Sequence, residues 1–267
     1  MIGIREKNSL MIFSHKKEVI IMSSNNLTFK QYLEENGVLI LGDRIRGDKI
    51  YTEDSISNQI NVINDIHKIM MEYRNDEATK IQCNIGKSIE SFKVLSKRFL
   101  YEVGKNKEDL NIVDKYVLEH EEEILNSINR IIVRLDDIDY LGIFKRAMIG
   151  NEICLGKVDE SNIIFTEQIE IGELNKVSYN CIEDDVVDYI RKVRRRNSHI
   201  DFMDSIKKYV NLSNLDDNSE EYIKILLSMP YDFLKAWYRY KYKKKSNTLD
   251  KDLESMKKAL IYEKEIL

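Results

Sequence analysis

The stretch "NEICLGKVDESNIIF", Asn151 to Phe165, decides how this chain is read. On both sides of it apolar residues recur three or four positions apart, the spacing of helices that bury one face. Here that rhythm stops. Between Gly150 and Tyr179 two short β-like runs, Asn162 to Phe165 and Gln168 to Ile171, are separated by loop residues. The stretch is the one irregular island in a helical body.

Upstream, Ile56, Ile60, Ile63, Ile66 and Met70 predict a helix over Ser55 to Tyr73. The same rhythm continues over Ile85 to Val103 and over Leu110 to Met148, the latter as two or more helices. Downstream, helical spacing covers Ile182 to Arg196, His199 to Val210, Glu220 to Lys245 and Asp250 to Ile266. No internal repeat and no proline-, glycine- or serine-rich linker divides the chain.

The N-terminal part reads differently. "SSNNLTFKQYLEEN" offers serine and asparagine caps, then Phe29, Tyr32 and Leu33 at helical spacing, and a stop at Asn36-Gly37. "GVLILGDRIRGDKIYTED" runs apolar in short stretches broken by Gly42-Asp43 and Gly47-Asp48, so a small hairpin-like cap is expected there. Met1 to Ile21 lacks the ordered regions and cleavage site of a signal peptide. Lys17-Glu18-Val19 can be encoded by codons containing AGGAGG, a purine-rich ribosome-binding sequence, shortly before Met22. Translation is therefore expected to begin at Met22, with residues 1–21 a non-native or mis-assigned extension; the alternative is a genuine N-terminal extension starting at Met1.

Composition excludes several classes. With 267 residues, 43% hydrophobic and 33% charged, the chain is long enough for a sizeable core and too apolar for disorder. Its net charge of −4 gives no global pull toward nucleic acid or an anionic membrane. No run approaches the roughly 20 apolar residues of a membrane span. Cys83, Cys154 and Cys181 are odd in number, and the four histidines stand at no zinc-ligand spacing, so buried thiols in a reducing compartment are expected.

A loop, a short strand, a turn, a second strand and a helix resemble the chemical centre of kinase-fold phosphotransferases. There a loop carboxylate orients the acceptor hydroxyl, an amide shortly after it holds Mg²⁺, and a carboxylate on the next strand binds metal at the phosphates. In the aminoglycoside/choline-kinase branch the loop reads His-Gly-Asp, with an Asn five residues after the Asp. On that pattern Leu155-Gly156-Lys157 takes the His-Gly-Asp place and Asn162 the Asn place, while Gly172-Glu173-Leu174-Asn175 takes the metal-binding strand end. "EDDVVDYIRKV" resembles the start of the next helix. Together with "FKQYLEENGVLILGDRIRGDKIYTED", "NVINDIHKIMMEY" and "SMPYDFLKAWYRYKYKKK", the chain is similar, over Met22 to Lys245, to a degenerate CotS-type spore-coat kinase-like protein. That resemblance implies a kinase-like helical lobe and a role in spore formation.

The departures bear on activity. An ammonium offers no lone pair, so Lys157 cannot serve as the base that the aspartate provides. Glu173 keeps the charge of the metal-binding position, but its extra methylene fits poorly with the tight octahedral shell of Mg²⁺. Gly37, Gly42 and Gly47 form no phosphate-covering glycine loop, and no nucleotide-binding lobe of several strands precedes the first long helix. Since positioning and electrostatics supply nearly all the rate in phosphoryl transfer, these losses remove most of it.

Other residues carry two readings each. Asp159 is a substitute base if activity survives. Asn162 either holds metal or closes the loop. Lys157 is an anion contact or a solvated lysine, and Glu173 a metal ligand or a surface carboxylate. His67 is a functional imidazole or a core residue with a hydrogen bond. "RKVRRR", Arg191 to Arg196, complements the dipole of a helix that starts with Glu183, Asp184 and Asp185. "KAWYRYKYKKK", Lys235 to Lys245, is expected to dock Phe233, Trp237 and Tyr240 on the body while its lysines point outward.

The fold expected is mainly α with a small β component (α+β), a protein-kinase-like helical C-lobe at residues 55–267 with a much reduced N-terminal cap at 22–54. The function expected is that of a non-catalytic pseudokinase of the spore coat or its assembly, in the mother-cell cytoplasm or the coat, with coat or other proteins as partners. A weak ATP-dependent phosphotransferase is the first alternative and a basic-aromatic nucleic-acid-binding protein the second. No cofactor is expected; ATP and Mg²⁺ would bind at Asn162, Glu173 and Asn175 only if the site is retained.

Overall fold

A computed structural model describes residues 27–46, 51–74, 81–103, 105, 109–242 and 248–263. The expected extension over residues 1–21 and the start at Met22 lie outside these residues. The described chain is mainly helical with two small sheets. No helix among the described residues is long and apolar enough to cross a membrane.

Helix α1 (Phe29–Glu35) opens on a capping box that differs from the serine and asparagine caps expected. Thr28 accepts from the Gln31 N–H, and the Gln31 side chain accepts from the Thr28 N–H at 3.0 Å. Gly37, at φ +79°, ends it as expected. Strand β1 (Val38–Ile40) then begins, but no hairpin forms among the described residues. Its partner is β5 (Ile169–Ile171), in parallel, with Val38 opposite Ile169, and β5 pairs on its other side with antiparallel β4 (Ile163–Phe165). The physical reason lies at Gly42, whose φ of +84° sends the chain across the island, where the Ile45 N–H reaches Ser161 O at 3.0 Å.

Helix α2 (Glu53–Met71) follows a second capping box, Thr52 with Ser55. It buries Ile56, Ile60, Ile63, Ile66 and Met70 on one face, as the spacing predicts. Strand β2 (Gln82–Cys83) and α3 (Lys87–Val103) come next. Then α4 (Ile112–Glu119), α5 (Glu121–Asp137) and α6 (Tyr140–Gly150) divide the long helical stretch in three, and Asn151 closes α6 in the left-handed region at φ +50°. Strands β3 (Ile153–Cys154) and β6 (Ser178–Tyr179) pair antiparallel, and β2 adds to β6 in parallel.

After the island come α7 (Glu183–Arg194) and α8 (Met203–Leu212), the latter starting later than His199. The stretch Glu220 to Lys245 is not one helical run. Its described residues divide between α9 (Asp217–Ser228) and α10 (Tyr231–Tyr242), because Pro230 lacks an N–H and biases Met229 to an extended conformation, ψ 128°, and residues 243–245 lie outside the described residues. Helix α11 (Leu249–Tyr262) completes the body.

The core is continuous. Phe99 of α3 meets Trp237 at 5.0 Å and Phe233 at 6.1 Å, both edge to face, so α10 docks through the aromatics predicted for that role. Full burial of such a side chain contributes about 1.5–3 kcal/mol. Tyr32, Leu33 and Val38 join the same apolar cluster as the helical body.

Candidate functional site

The loop of the island is suspended from α7 and α2. Both oxygens of Asp185 are used on it: Oδ2 accepts from the Leu155 N–H and Oδ1 from the Gly156 N–H, each at 2.8 Å. These amides have no strand partner, and a buried carboxylate supplies two strong acceptors. His67 Nε2 lies 2.9 Å from the same Asp185 Oδ2, and His67 Nδ1 lies 2.9 Å from the Tyr209 hydroxyl. His67 is thus a buried core residue that positions the loop through Asp185. Gln59, also on α2, donates to Val158 O at 2.7 Å and Ile163 O at 3.0 Å.

Gly156 is required by this geometry. It sits at φ +71°, and a Cβ there would lie 2.6 Å from Lys176 O. Leu155, in the place of the pattern's histidine, is fully buried. Below the loop, Arg146 of α6 joins two carboxylates. Its Nη2 donates to both oxygens of Glu183 at 2.8 Å, and its Nε to Glu152 Oε1 at 2.7 Å. Burial pushes the Glu183 carboxyl above the usual carboxylate range, and Arg146 opposes that rise.

Lys157 and Glu173 come together. The Lys157 ammonium contacts Glu173 Oε2, and Arg44 Nε approaches the same oxygen at 3.6 Å. The hydrogen bond from Lys157, with the charges of Lys157 and Arg44, holds Glu173 below the usual carboxylate range. Asn162 closes the loop on its own strand end. Its Nδ2 donates to Lys157 O at 2.9 Å and Glu173 O at 3.1 Å, and its Oδ1 accepts from the Glu173 N–H at 2.8 Å. Gly172 passes under the N-terminal segment, with a Cβ position 2.6 Å from Asp43 O. Asn175 is exposed in the following turn.

Asp159 has other partners. It accepts from the Ser161 N–H at 3.0 Å and pairs with Lys192 of α7. Together with Lys157, Asp188, Lys192 and Arg195 it borders a cavity of about 400 Å³. Three potential metal ligands, His67, Cys154 and Asp185, place their donor atoms within 4.8 Å of one another. Their contacts explain this without an ion. Cys154 Sγ donates to Cys181 O at 3.1 Å, and burial raises the thiol well above its ordinary pKa, which disfavours the thiolate that a metal needs.

Sequence reasoning placed Lys157, Asn162 and Glu173 in one site, and the structure brings them together. It missed Asp185, Gln59 and Arg146. Asp185 had a signal, the acidic triplet at the start of α7, in which all three side chains are buried. Arg146 had none, being one cation among the polar residues of an amphipathic helix.

No protein-family model and no curated protein matches the sequence. Among solved structures, the chain is similar to an aminoglycoside phosphotransferase from Alicyclobacillus acidocaldarius subsp. acidocaldarius DSM 446, with a TM-score of 0.62 and 11% identity over 86% of this chain and 76% of that one. The two share a fold. That fold is kinase-like, as the island's order of loop, strand, turn, strand and helix implied.

Proposed function

We propose that this chain is a non-catalytic protein on a kinase-like phosphotransferase fold, acting by binding protein partners in the spore-coat setting that the CotS-type resemblance implies. The observation that carries the non-catalytic reading is the contact between Lys157 and Glu173. On the family's sequence pattern these take the places of the catalytic carboxylate and of the metal-binding carboxylate, and here they pair with each other. An ammonium can only donate, so Lys157 takes no proton from an acceptor hydroxyl. Glu173 Oε2 already faces two cations, Lys157 and Arg44, and a Mg²⁺ ion would have to displace both. Asn162 spends its amide on backbone groups.

The test is calorimetric titration of the protein with ATP and Mg²⁺, alongside Asn162→Ala and Glu173→Ala. The expected result is no saturable heat at millimolar nucleotide in any of the three. Saturable binding to the unmodified protein that both substitutions abolish overturns the reading, and points instead to phosphoryl transfer with Asp159 as base.

A further inference from the structure

A second and larger cavity, about 890 Å³, opens where the end of α7 meets α10 and α11. Its wall carries six cations, Arg194, Arg195, Arg196, Lys235, Arg239 and Lys258, against one carboxylate, Asp232. The two basic runs that stand far apart in the sequence, Arg191 to Arg196 and Lys235 to Lys245, here contribute to a single wall.

Part of this charge is used within the protein. Arg195 Nε donates to Asp232 at 2.8 Å, Arg194 Nη1 donates to Leu227 O at 2.8 Å, and Lys258 pairs with Glu254 on the surface. Arg196, Lys235 and Arg239 are exposed and form no ion pair with a carboxylate among the described residues. In a chain of net charge −4, a concave wall with three such cations focuses a positive field on whatever enters it.

The lining distinguishes among anions. Ile261, 58% exposed, provides apolar surface beside the arginines. The aromatic rings there are already engaged: Tyr238 stacks with Arg98 at 5.0 Å and with Tyr242 at 4.7 Å, and Arg195 lies over Tyr262 at 5.8 Å. Single-stranded nucleic acid depends on open aromatic faces for its bases, which these rings do not offer. Carboxylates need only the planar fork of an arginine. Arg195 also borders the smaller cavity beside Lys157 and Lys192, so the cationic lining continues toward the loop.

We propose that this cavity docks an acidic segment of a partner protein, with its carboxylates on Arg196, Arg239 and Lys235 and an apolar side chain against Ile261. This docking is independent of whether the loop binds nucleotide.

The test is fluorescence anisotropy of the full chain with two labelled probes, a peptide of alternating Glu and Leu residues and an oligothymidine of equal charge. The peptide is expected to bind saturably and to weaken at higher salt. The double variant Arg196→Glu, Arg239→Glu is expected to lower its affinity by at least about tenfold. Lys68→Glu, at an exposed position on α2, is expected to leave it unchanged, with circular dichroism melts confirming that both variants fold. Arg239→Ala, a milder change at an exposed position, should give a smaller loss in the same direction. Absence of saturable peptide binding at low salt, or peptide binding that ignores the arginine variants, overturns the proposal. So does tighter binding of the oligothymidine that is lost in the same variants, which assigns the cavity to nucleic acid.

Discussion

The Asp185 carboxylate on α7 and the Gly156 N–H in the loop meet at 2.8 Å, and the other Asp185 oxygen holds the Leu155 N–H at the same distance. Asp185→Asn keeps the shape but replaces one acceptor with a donor facing a donor. An N–H left unpaired in the interior costs about 1–3 kcal/mol, and more where the lost partner was charged. Urea unfolding is expected to show a midpoint lowered accordingly. A midpoint equal to the parent's rules out Asp185 as the loop's anchor.

Gly156→Ala combines two penalties, whereas Gly42→Ala incurs one. Both glycines have positive φ, and the left-handed conformation costs an ordinary residue about 1–2 kcal/mol. At Gly42 nothing lies within 4 Å of the added methyl, but at Gly156 the methyl meets Lys176 O at 2.6 Å. The alanine at 156 is therefore expected to lower thermal stability more than the alanine at 42. Equal losses in a melting experiment contradict the close approach at Lys176.

Arg146→Met strands Glu152 and Glu183 without their cation. Breaking a buried pair from one side costs about 3–5 kcal/mol, toward the lower figure here because Arg146 is 34% exposed. The deficit should shrink as the pH falls and Glu183 protonates, because burial raises its pKa. Denaturant curves at two pH values check both the size and the direction.

Asp184 gives the clearest pH dependence. Burial lifts its pKa to about 7, against the pull of the Ser88 hydroxyl, which donates to it at 2.6 Å. A carboxyl whose folded pKa is raised contributes stability that is fully present below its unfolded value, about 3.9. That contribution declines as the pH rises and is lost through the folded value. Asp184→Asn, which stays neutral, should therefore gain melting temperature relative to the parent at pH 8 and gain nothing at pH 4. Calorimetric scans at the two pH values settle the sign.

Glu173 should behave in the opposite way. Its lowered pKa means that the pair with Lys157 contributes above the unfolded value and is lost as the pH falls through the folded one. Lys157→Met removes the first cause of that shift, so the Glu173 side-chain titration followed by NMR should move up toward the ordinary range. An unmoved titration shows that Arg44 alone sets it.

Much of this arrangement was legible in the sequence. The apolar spacing of Ile56 through Met70 gave α2 its face, and the island's order of loop and strands gave the neighbourhood of Lys157, Asn162 and Glu173. Local patterns could not give the partner of β1. Val38–Ile40 reads as half of a hairpin, and only the distant strand Ile169–Ile171 makes it parallel. Pro230 carried its own signal, since a residue without an N–H divides a helical run even where the apolar spacing continues through it. Gln59 holds a backbone group 99 residues away along the chain and Asp185 one 30 residues away, and hydrophobic periodicity contains no trace of such bonds.

The pairing of β1 with β5 also sets an order for synthesis. Val38 leaves the ribosome 169 − 38 = 131 residues ahead of Ile169, its partner in register. At about 5–20 residues per second that is an interval of roughly 7–26 s. Throughout it the edge of β1 has no native strand to pair with. Strand β1 finds its place only after β5 has been made, and the strap that crosses the loop at Asp43 to Ile45 closes only once the middle of the chain has been translated.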